Sequence, residues 1–304
     1  MRVRWIALIV AAAMFGAAGG AWMISAPRPA VVESEAAGLE GGNPDNGRRV
    51  FEAGDCVACH TTPGQPDRLR LGGGMALASP FGTLYPPNIS PDPVDGIGKW
   101  RTADLANALL AGVSPRDQHY YPAFPYTSFA HMKLSDVRDL MAYLRTLEPV
   151  RGRPPPHDLS FPFTIRRLVG LWKLLYFDRS PIVRDPAHDA EWNRGRYLVE
   201  GPAHCAECHS SRDLAGGIKE STRFAGGRDP EGVGFVPNIT PAAIGSWSED
   251  DIMRILTDRH TPEGREVGSS MEDVVTNTSS LPDEDRRAIA VYIKSLPGRP
   301  TPSP

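Results

Sequence analysis

The sequence predicts an all-α chain, with two tandem helical domains carried behind an N-terminal transmembrane helix. Three observations predict it. An apolar run fills residues 5–24. The pentapeptide Cys-x-x-Cys-His occurs twice, as Cys56-Val57-Ala58-Cys59-His60 and as Cys205-Ala206-Glu207-Cys208-His209. The stretches around the two pentapeptides repeat in the same order, and each copy opens and closes with apolar residues at helical spacing.

Residues 1–25 form the first element. Arg2 and Arg4 precede the run from Trp5 to Ile24, whose length is near the roughly 20 residues that cross a bilayer. The flanking arginines favour an N-inside orientation, with the rest of the chain exported. A cleaved signal peptide is the alternative, because Ala17-Ala18 and Ser25-Ala26 offer small residues. The length of the run favours an uncleaved anchor. Residues 26–42 follow as a tether, read as flexible from Pro27, Pro29, Glu33, Glu35 and Gly41-Gly42.

The first domain spans residues 43–150. Asn43-Pro44-Asp45 opens it as a cap with proline at the first helical position. Ser135 is the expected N-cap of its closing helix, and Val137, Leu140, Met141 and Leu144 make one apolar face. The second domain spans residues 191–297. Trp192, Gly195, Tyr197 and Leu198 lie in its opening helix, and Ile289, Tyr292, Ile293 and Leu296 in its closing one. Between motif and closing helix the copies echo again. Phe81-Gly82, Pro87-Asn88-Ile89-Ser90-Pro91, Ile97-Gly98 and Trp100 match Gly234-Phe235, Pro237-Asn238-Ile239-Thr240-Pro241, Ile244-Gly245 and Trp247. A repeat of this size implies duplication of one domain.

Residues 151–190 separate the copies. Pro154-Pro155-Pro156 stiffens the start, and Ile165, Leu168, Val169, Trp172, Leu175 and Tyr176 then mark an amphipathic helix beside Arg166, Arg167 and Lys173. The favoured reading buries this stripe between the two domains. The other reading lays it in a membrane interface, because aromatic and basic residues adjoin. Residues 298–304 read as a disordered tail.

The pentapeptide spacing points to covalent attachment of c-type haem. Its thiols stand about one helical turn apart, so both reach one porphyrin, and the histidine that follows supplies an imidazole to the iron. A zinc site pairs two Cys-x-x-Cys knuckles on one metal and gives the histidine no required role. A thioredoxin-like dithiol needs a strand–helix setting and occurs once. The two motifs use all four cysteines, so no thiol remains for a disulfide or a nucleophile. A net charge of −3 gives no reason to expect nucleic acid. Gly72–Gly74 lacks the Lys-Ser/Thr of a phosphate loop. His119, His157, His188, His204 and His260 are scattered and read as solvent-facing.

Two copies of helix, Cys-x-x-Cys-His, loops and helix resemble the class I cytochrome c fold. Within it, the chain resembles the cytochrome c subunits of membrane-bound bacterial dehydrogenases of the alcohol and gluconate type. It is closer to the shorter two-haem cytochromes that accompany molybdenum hydroxylases. Gly54–His60, Pro87–Asp92, Tyr121-Pro122-Ala123-Phe124-Pro125-Tyr126, Asn193–Leu198 and Gly268-Ser269-Ser270-Met271 carry the likeness, over residues 43–297. The alcohol dehydrogenase type has three haem domains, and this chain has two.

This resemblance implies two haem c groups, held through Cys56 and Cys59 and through Cys205 and Cys208. His60 and His209 are the expected proximal iron ligands, each with its second ring nitrogen bonded to a carbonyl or carboxylate. Met271 is the expected distal ligand of the second haem; its rival Met253 reads as core. For the first haem, relatives often place methionine inside the Tyr-Pro-Ala-x-Pro-Tyr stretch, where this chain has Phe124. Met132 is the expected ligand there, with His131 and Met75 as alternatives. Trp100 and Trp247 are expected near the haem edges.

The implied function is non-catalytic electron transfer at the bacterial inner membrane, with the haem domains in the periplasm. Electrons enter from a periplasmic dehydrogenase subunit and leave to an oxidase or a soluble cytochrome. A di-haem peroxidase is the alternative, and it requires one open distal site.

Overall fold

The structure is a computed structural model that describes residues 2–230 and 234–303. Met1 of the expected span, residues 231–233 of the second copy and Pro304 of the expected tail lie outside the described residues. The chain is mostly helical: α1 (Arg2–Ile24), α2 (Glu33–Ala36), α3 (Pro44–Ala53), α4 (Cys56–His60), α5 (Thr102–Ala111), α6 (Tyr126–Phe129), α7 (Leu134–Leu144), α8 (Leu168–Tyr176), α9 (Ala190–Glu200), α10 (Pro241–Ile244), α11 (Glu249–Asp258), α12 (Met271–Thr278) and α13 (Asp283–Ser295). Short strands add to the all-helical expectation. β1 (Leu77–Ser79) and β2 (Gly82–Leu84) form an antiparallel hairpin, and β3 (Asp158–Leu159) pairs with β2 as its outer edge. In the second half β4 (Gly227–Arg228) pairs with β5 (Phe235–Val236).

Helix α1 is long and apolar enough to cross a membrane. The globular part then forms around two crossings, α3 on α7 and α9 on α13. Each opening helix has a clear start. Asn43 accepts from the amides of Asp45 and Asn46 ahead of Pro44, and Asp189 accepts from Trp192 N at 2.8 Å. Each crossing is centred on a glycine. A Cβ at Gly47 would lie 1.9 Å from Asp139 O, and one at Gly195 would lie 1.8 Å from Ala288 O. No side chain fits at either point, so the backbones meet directly. Around the first crossing Phe51, Val57, Leu105, Phe129, Met132, Val137 and Leu140 form one core. Around the second, Leu198, Val199, Phe224, Ile252, Leu256, Ile289 and Ile293 form another.

The structure differs from expectation at four places. Helix α7 starts at Leu134 with Lys133 in the capping position, so Ser135 lies inside the first turn and is not the cap. Leu134 packs against the first core, which draws the helix start two residues forward. Residues 26–42 do not hang free, and their middle, Ala30 to Glu33, is laid on α5. Val31 is buried, the Asn107 side-chain oxygen accepts from Ala30 N and Val31 N at 2.8 Å each, and Arg101 pairs with Glu33. The tail is tied down as well: Asn238 donates to Arg299 O at 2.8 Å and to Thr301 Oγ1 at 3.1 Å. Of the histidines read as solvent-facing, His119 is buried, with Nε2 donating to Ser25 O at 2.8 Å. His157 and His204 are half-buried, whereas His188 and His260 are exposed.

Helix α8 turns Val169, Gly170 and Lys173 inward. Lys173 Nζ donates to Ala111 O at 2.7 Å and Gly112 O at 2.8 Å, capping the C-terminus of α5. On another side Trp172 donates to Ala215 O, and Tyr176 donates to Asp213 in the second half. The helix thus touches both halves.

Candidate haem-attachment sites

The first motif lies on α4, entered through Asp55 with φ of +48°; the second lies on a 3-10 turn, Cys205–Glu207, entered through His204 with φ of +40°. In each copy the residue before the first cysteine takes the left-handed conformation and turns the chain sharply into the motif. None of the four cysteines is in a disulfide among the described residues. Burial pushes the thiols of Cys56 and Cys205 up to about 12, so as free thiols they stay protonated.

The two histidines are held alike. Nδ1 of His60 bonds Pro87 O at 2.8 Å, and Nδ1 of His209 bonds Pro237 O at 2.8 Å. A carbonyl only accepts, so Nδ1 carries the proton and the Nε2 lone pair is left for a metal. Burial lowers both imidazole pKa values against the opposing pull of the carbonyl, which keeps the neutral, ligating form.

The main chain of each histidine is fixed by the same neighbourhood. Gly73 N donates to His60 O at 2.8 Å, and Gly226 N donates to His209 O at 2.8 Å. Both glycines have positive φ and press on the proline loop. A Cβ at Gly73 would lie 2.4 Å from Pro86 O, and one at Gly226 would lie 2.6 Å from Val236 O. Two residues before these glycines, Leu71 O and Phe224 O accept from Ile89 N and Ile239 N. The asparagine of each loop then clasps the chain that leaves the closing helix. Asn88 donates to Val150 O at 2.6 Å, in parallel with Asn238 and Arg299. These bonds explain why Asn-Ile-Ser and Asn-Ile-Thr recur in the sequence.

Neither the proline carbonyls nor the glycines are identifiable from the motifs alone. The usable signal is the order of the repeat, since Leu71-Gly72-Gly73 and Phe224-Ala225-Gly226 each stand between the histidine and the Pro-Asn-Ile loop.

The distal candidates occupy different settings. Met132 is buried in the first core, just after α6. Its neighbour His131 is half-buried, with Nδ1 donating to Ser180 O at 2.7 Å. Phe124 packs on the same core and makes edge contacts with Tyr120 and Phe129. Met271 is half-buried at the first position of α12 and packs on the second core. Met253 sits on α11 and packs on the same core. Met75 is half-buried outside both cores. Of the two tryptophans, Trp100 packs on the first core, and Trp247 donates its indole N–H to Glu263.

The two motifs are also bonded across the halves. His204 Nε2 donates to Gly54 O at 3.2 Å, and Phe129 meets the His204 ring edge-on. Asn277 of α12 donates to Asp55. Glu207, buried between the cysteines of the second motif, accepts from Thr127 at 2.5 Å and Ser128 at 3.0 Å and pairs with Arg212. Burial opposes its ionisation, but Arg212 and the two hydroxyls outweigh it and hold the carboxyl below the usual range. The segment that precedes each closing helix therefore bears on the motif of the other half.

A family model for cytochrome c matches residues 44–148. The chain is 49% identical over 292 residues to a protein of Cereibacter sphaeroides named diheme cytochrome c-type, covering 95% of this chain and 96% of that one. It is 39% identical over 257 residues to a nicotinate dehydrogenase subunit of Pseudomonas putida, covering 84% of this chain and 21% of the relative. It is 38% identical over 258 residues to the fructose dehydrogenase cytochrome subunit of Gluconobacter japonicus, covering 83% of this chain and 52% of the relative. The chain thus spans nearly all of the Cereibacter protein, about a fifth of the Pseudomonas one and about half of the Gluconobacter one.

Proposed function

This chain belongs to the c-type cytochromes, in the group that holds cytochrome subunits of alcohol, fructose and gluconate dehydrogenases, and from that premise we propose that it is a membrane-anchored di-haem electron carrier. Residues 43–150 and 191–297 are its two class I cytochrome c-like domains, and α1 is its anchor in the bacterial inner membrane. Electrons pass from a periplasmic dehydrogenase through both domains to an oxidase or a soluble cytochrome.

One observation carries the reading: both motif histidines spend Nδ1 on a proline carbonyl and keep Nε2. The residues present fit the group in each half. Cys56 and Cys59, and Cys205 and Cys208, are the thioether pairs. His60 and His209 would be the proximal ligands, and Met132 and Met271 the distal ones. Bound haem supplies a one-electron iron couple. The protein holds each imidazole in one tautomer and one orientation, so little need rearrange when charge arrives. The burial of Met132 in the first core supports it as the distal group of the first half.

The near-infrared methionine-to-iron band tests the assignment. Met132→Ala and Met271→Ala are each expected to remove about half of the oxidised wild-type band, and the double variant all of it. Full band intensity in Met132→Ala would show that another group ligates the first haem. A stable high-spin haem in the resting wild type, together with peroxide turnover, would instead make the protein a peroxidase. Co-purification from detergent-solubilised membranes identifies the dehydrogenase.

A further inference from the structure

Helix α8 has an outer face that both halves leave uncovered. Its inner face is set by Val169, Gly170 and Lys173. Opposite, at i, i+3 and i+7, stand Leu168, Leu171 and Leu175. Leu168 is 41% exposed and Leu175 77%; Leu174 on the flank is 55% exposed. Phe161, in the loop that leads to the helix, is 80% exposed. A run of leucines this open on a soluble surface calls for a partner.

The partner follows from what α8 is fastened to. Arg167 donates to Trp22 O at 2.6 Å and to Ser25 Oγ at 3.1 Å, and its guanidinium stacks 4.5 Å from the centre of the Trp22 ring. His119 holds Ser25 O from the other side. Gly170 admits this contact, because a Cβ there would lie 2.1 Å from Ser25 O. The end of α1 is therefore fixed to the first turns of α8. Tryptophan and arginine at the end of a span mark the headgroup level. Arg166 and Arg167 lead into α8, and Arg179 and Arg184 follow it with Asp178 and Asp185, which leaves a net positive charge around the helix. That charge suits anionic headgroups.

We propose that the outer face of α8 is a membrane foot: Leu168, Leu171, Leu175 and Phe161 lie in the headgroup–acyl boundary of the bilayer that α1 crosses. The inference rests on the reading of α1 as a span. The foot and the span together fix the tilt of both haem domains over the membrane, since α8 is bonded to each half.

Spin labels test it. The four native cysteines are consumed as thioethers, so one added cysteine takes the label alone. The full-length, haem-loaded protein is placed in nanodiscs of phosphatidylcholine and phosphatidylglycerol. Phe15→Cys on α1, Leu168→Cys and Leu175→Cys on α8, and the exposed, acidic-site control Glu284→Cys are compared by collision with oxygen and with a water-soluble nickel chelate. The oxygen-to-nickel ratio is expected to be several-fold higher at the first three sites than at the control. A high ratio at Phe15 with control values at Leu168 and Leu175 would overturn the foot and leave the span standing. A control value at Phe15 would overturn the span reading itself. Shielding of Leu168 and Leu175 from both reagents would overturn lipid as the occupant in favour of a second protein surface.

Discussion

At matching points of the two helix crossings, the first half places Asn46 and the second Arg194. Asn46 splits its amide between Asp136 at 3.2 Å and Asp139 at 2.8 Å. Arg194 grips Asp285 with both arms, at 2.7 and 2.8 Å. One crossing is locked by a neutral amide under two carboxylates, the other by a bidentate ion pair. Both crossings nevertheless meet at a glycine, and both seat their histidine on a proline carbonyl. The comparison teaches that close backbone contact sets the domain, whereas the polar lock beside it is interchangeable.

The strongest way to break this comparison is to refuse the contact. Gly47→Ala and Gly195→Ala each drive a methyl into a backbone carbonyl that cannot yield, and each is expected to cost about 3 kcal/mol. Thermal unfolding followed in the haem absorbance should show a lower midpoint for either variant. Unchanged midpoints would mean that the helices cross loosely.

The locks come next. Arg194→Ala strands the buried Asp285 carboxylate, and about 2 kcal/mol is expected because water still reaches part of the site. Asn46→Ala removes neutral hydrogen bonds and is expected to cost about 1 kcal/mol. Urea unfolding measures both, and equal losses would erase the distinction between the locks.

The last effect is read against pH and concerns the residues that precede the first cysteines. Burial pushes the Asp55 carboxyl up from 3.8 to about 7, so the native state keeps a proton that the unfolded chain releases. Its contribution to stability falls as pH rises from about 4 to 7, by at most about 1.4 kcal/mol per pH unit. Burial lowers the His204 imidazole below 6.5, so the unfolded chain takes up a proton that the native state resists. Its contribution is lost as pH falls below 6.5. Asp55→Asn should flatten the first slope and His204→Gln the second, in stability measured against pH. A slope that survives its own substitution would belong to another group.

Much of this is legible in the sequence, and the reason is covalent spacing. Cys-x-x-Cys-His declares its cofactor because the chemistry demands fixed intervals. The helix faces of Val137–Leu144 and Ile289–Leu296 are legible because packing repeats with the helical period. What stays hidden depends on distance through space. The carbonyl of Pro87 reaches His60 across 27 residues, and Val31 is buried because Asn107, 76 residues away, satisfies its backbone. Proline, glycine and acids make residues 26–42 and 298–303 look unstructured, yet a few distant side chains pin both. His119 looks solvent-facing in the sequence because its partner is a backbone oxygen at Ser25, which carries no sequence signature.

The clasp of each asparagine also sets an order of events. Asn88 closes on Val150, which follows it by 62 residues, whereas Asn238 closes on Arg299 and Thr301. The loop that seats His60 can therefore lock while the second copy is still being synthesised. The loop that seats His209 must wait for residues 299–301 to be delivered. The first half can mature on its own schedule, and the second stays open until Arg299 and Thr301 arrive.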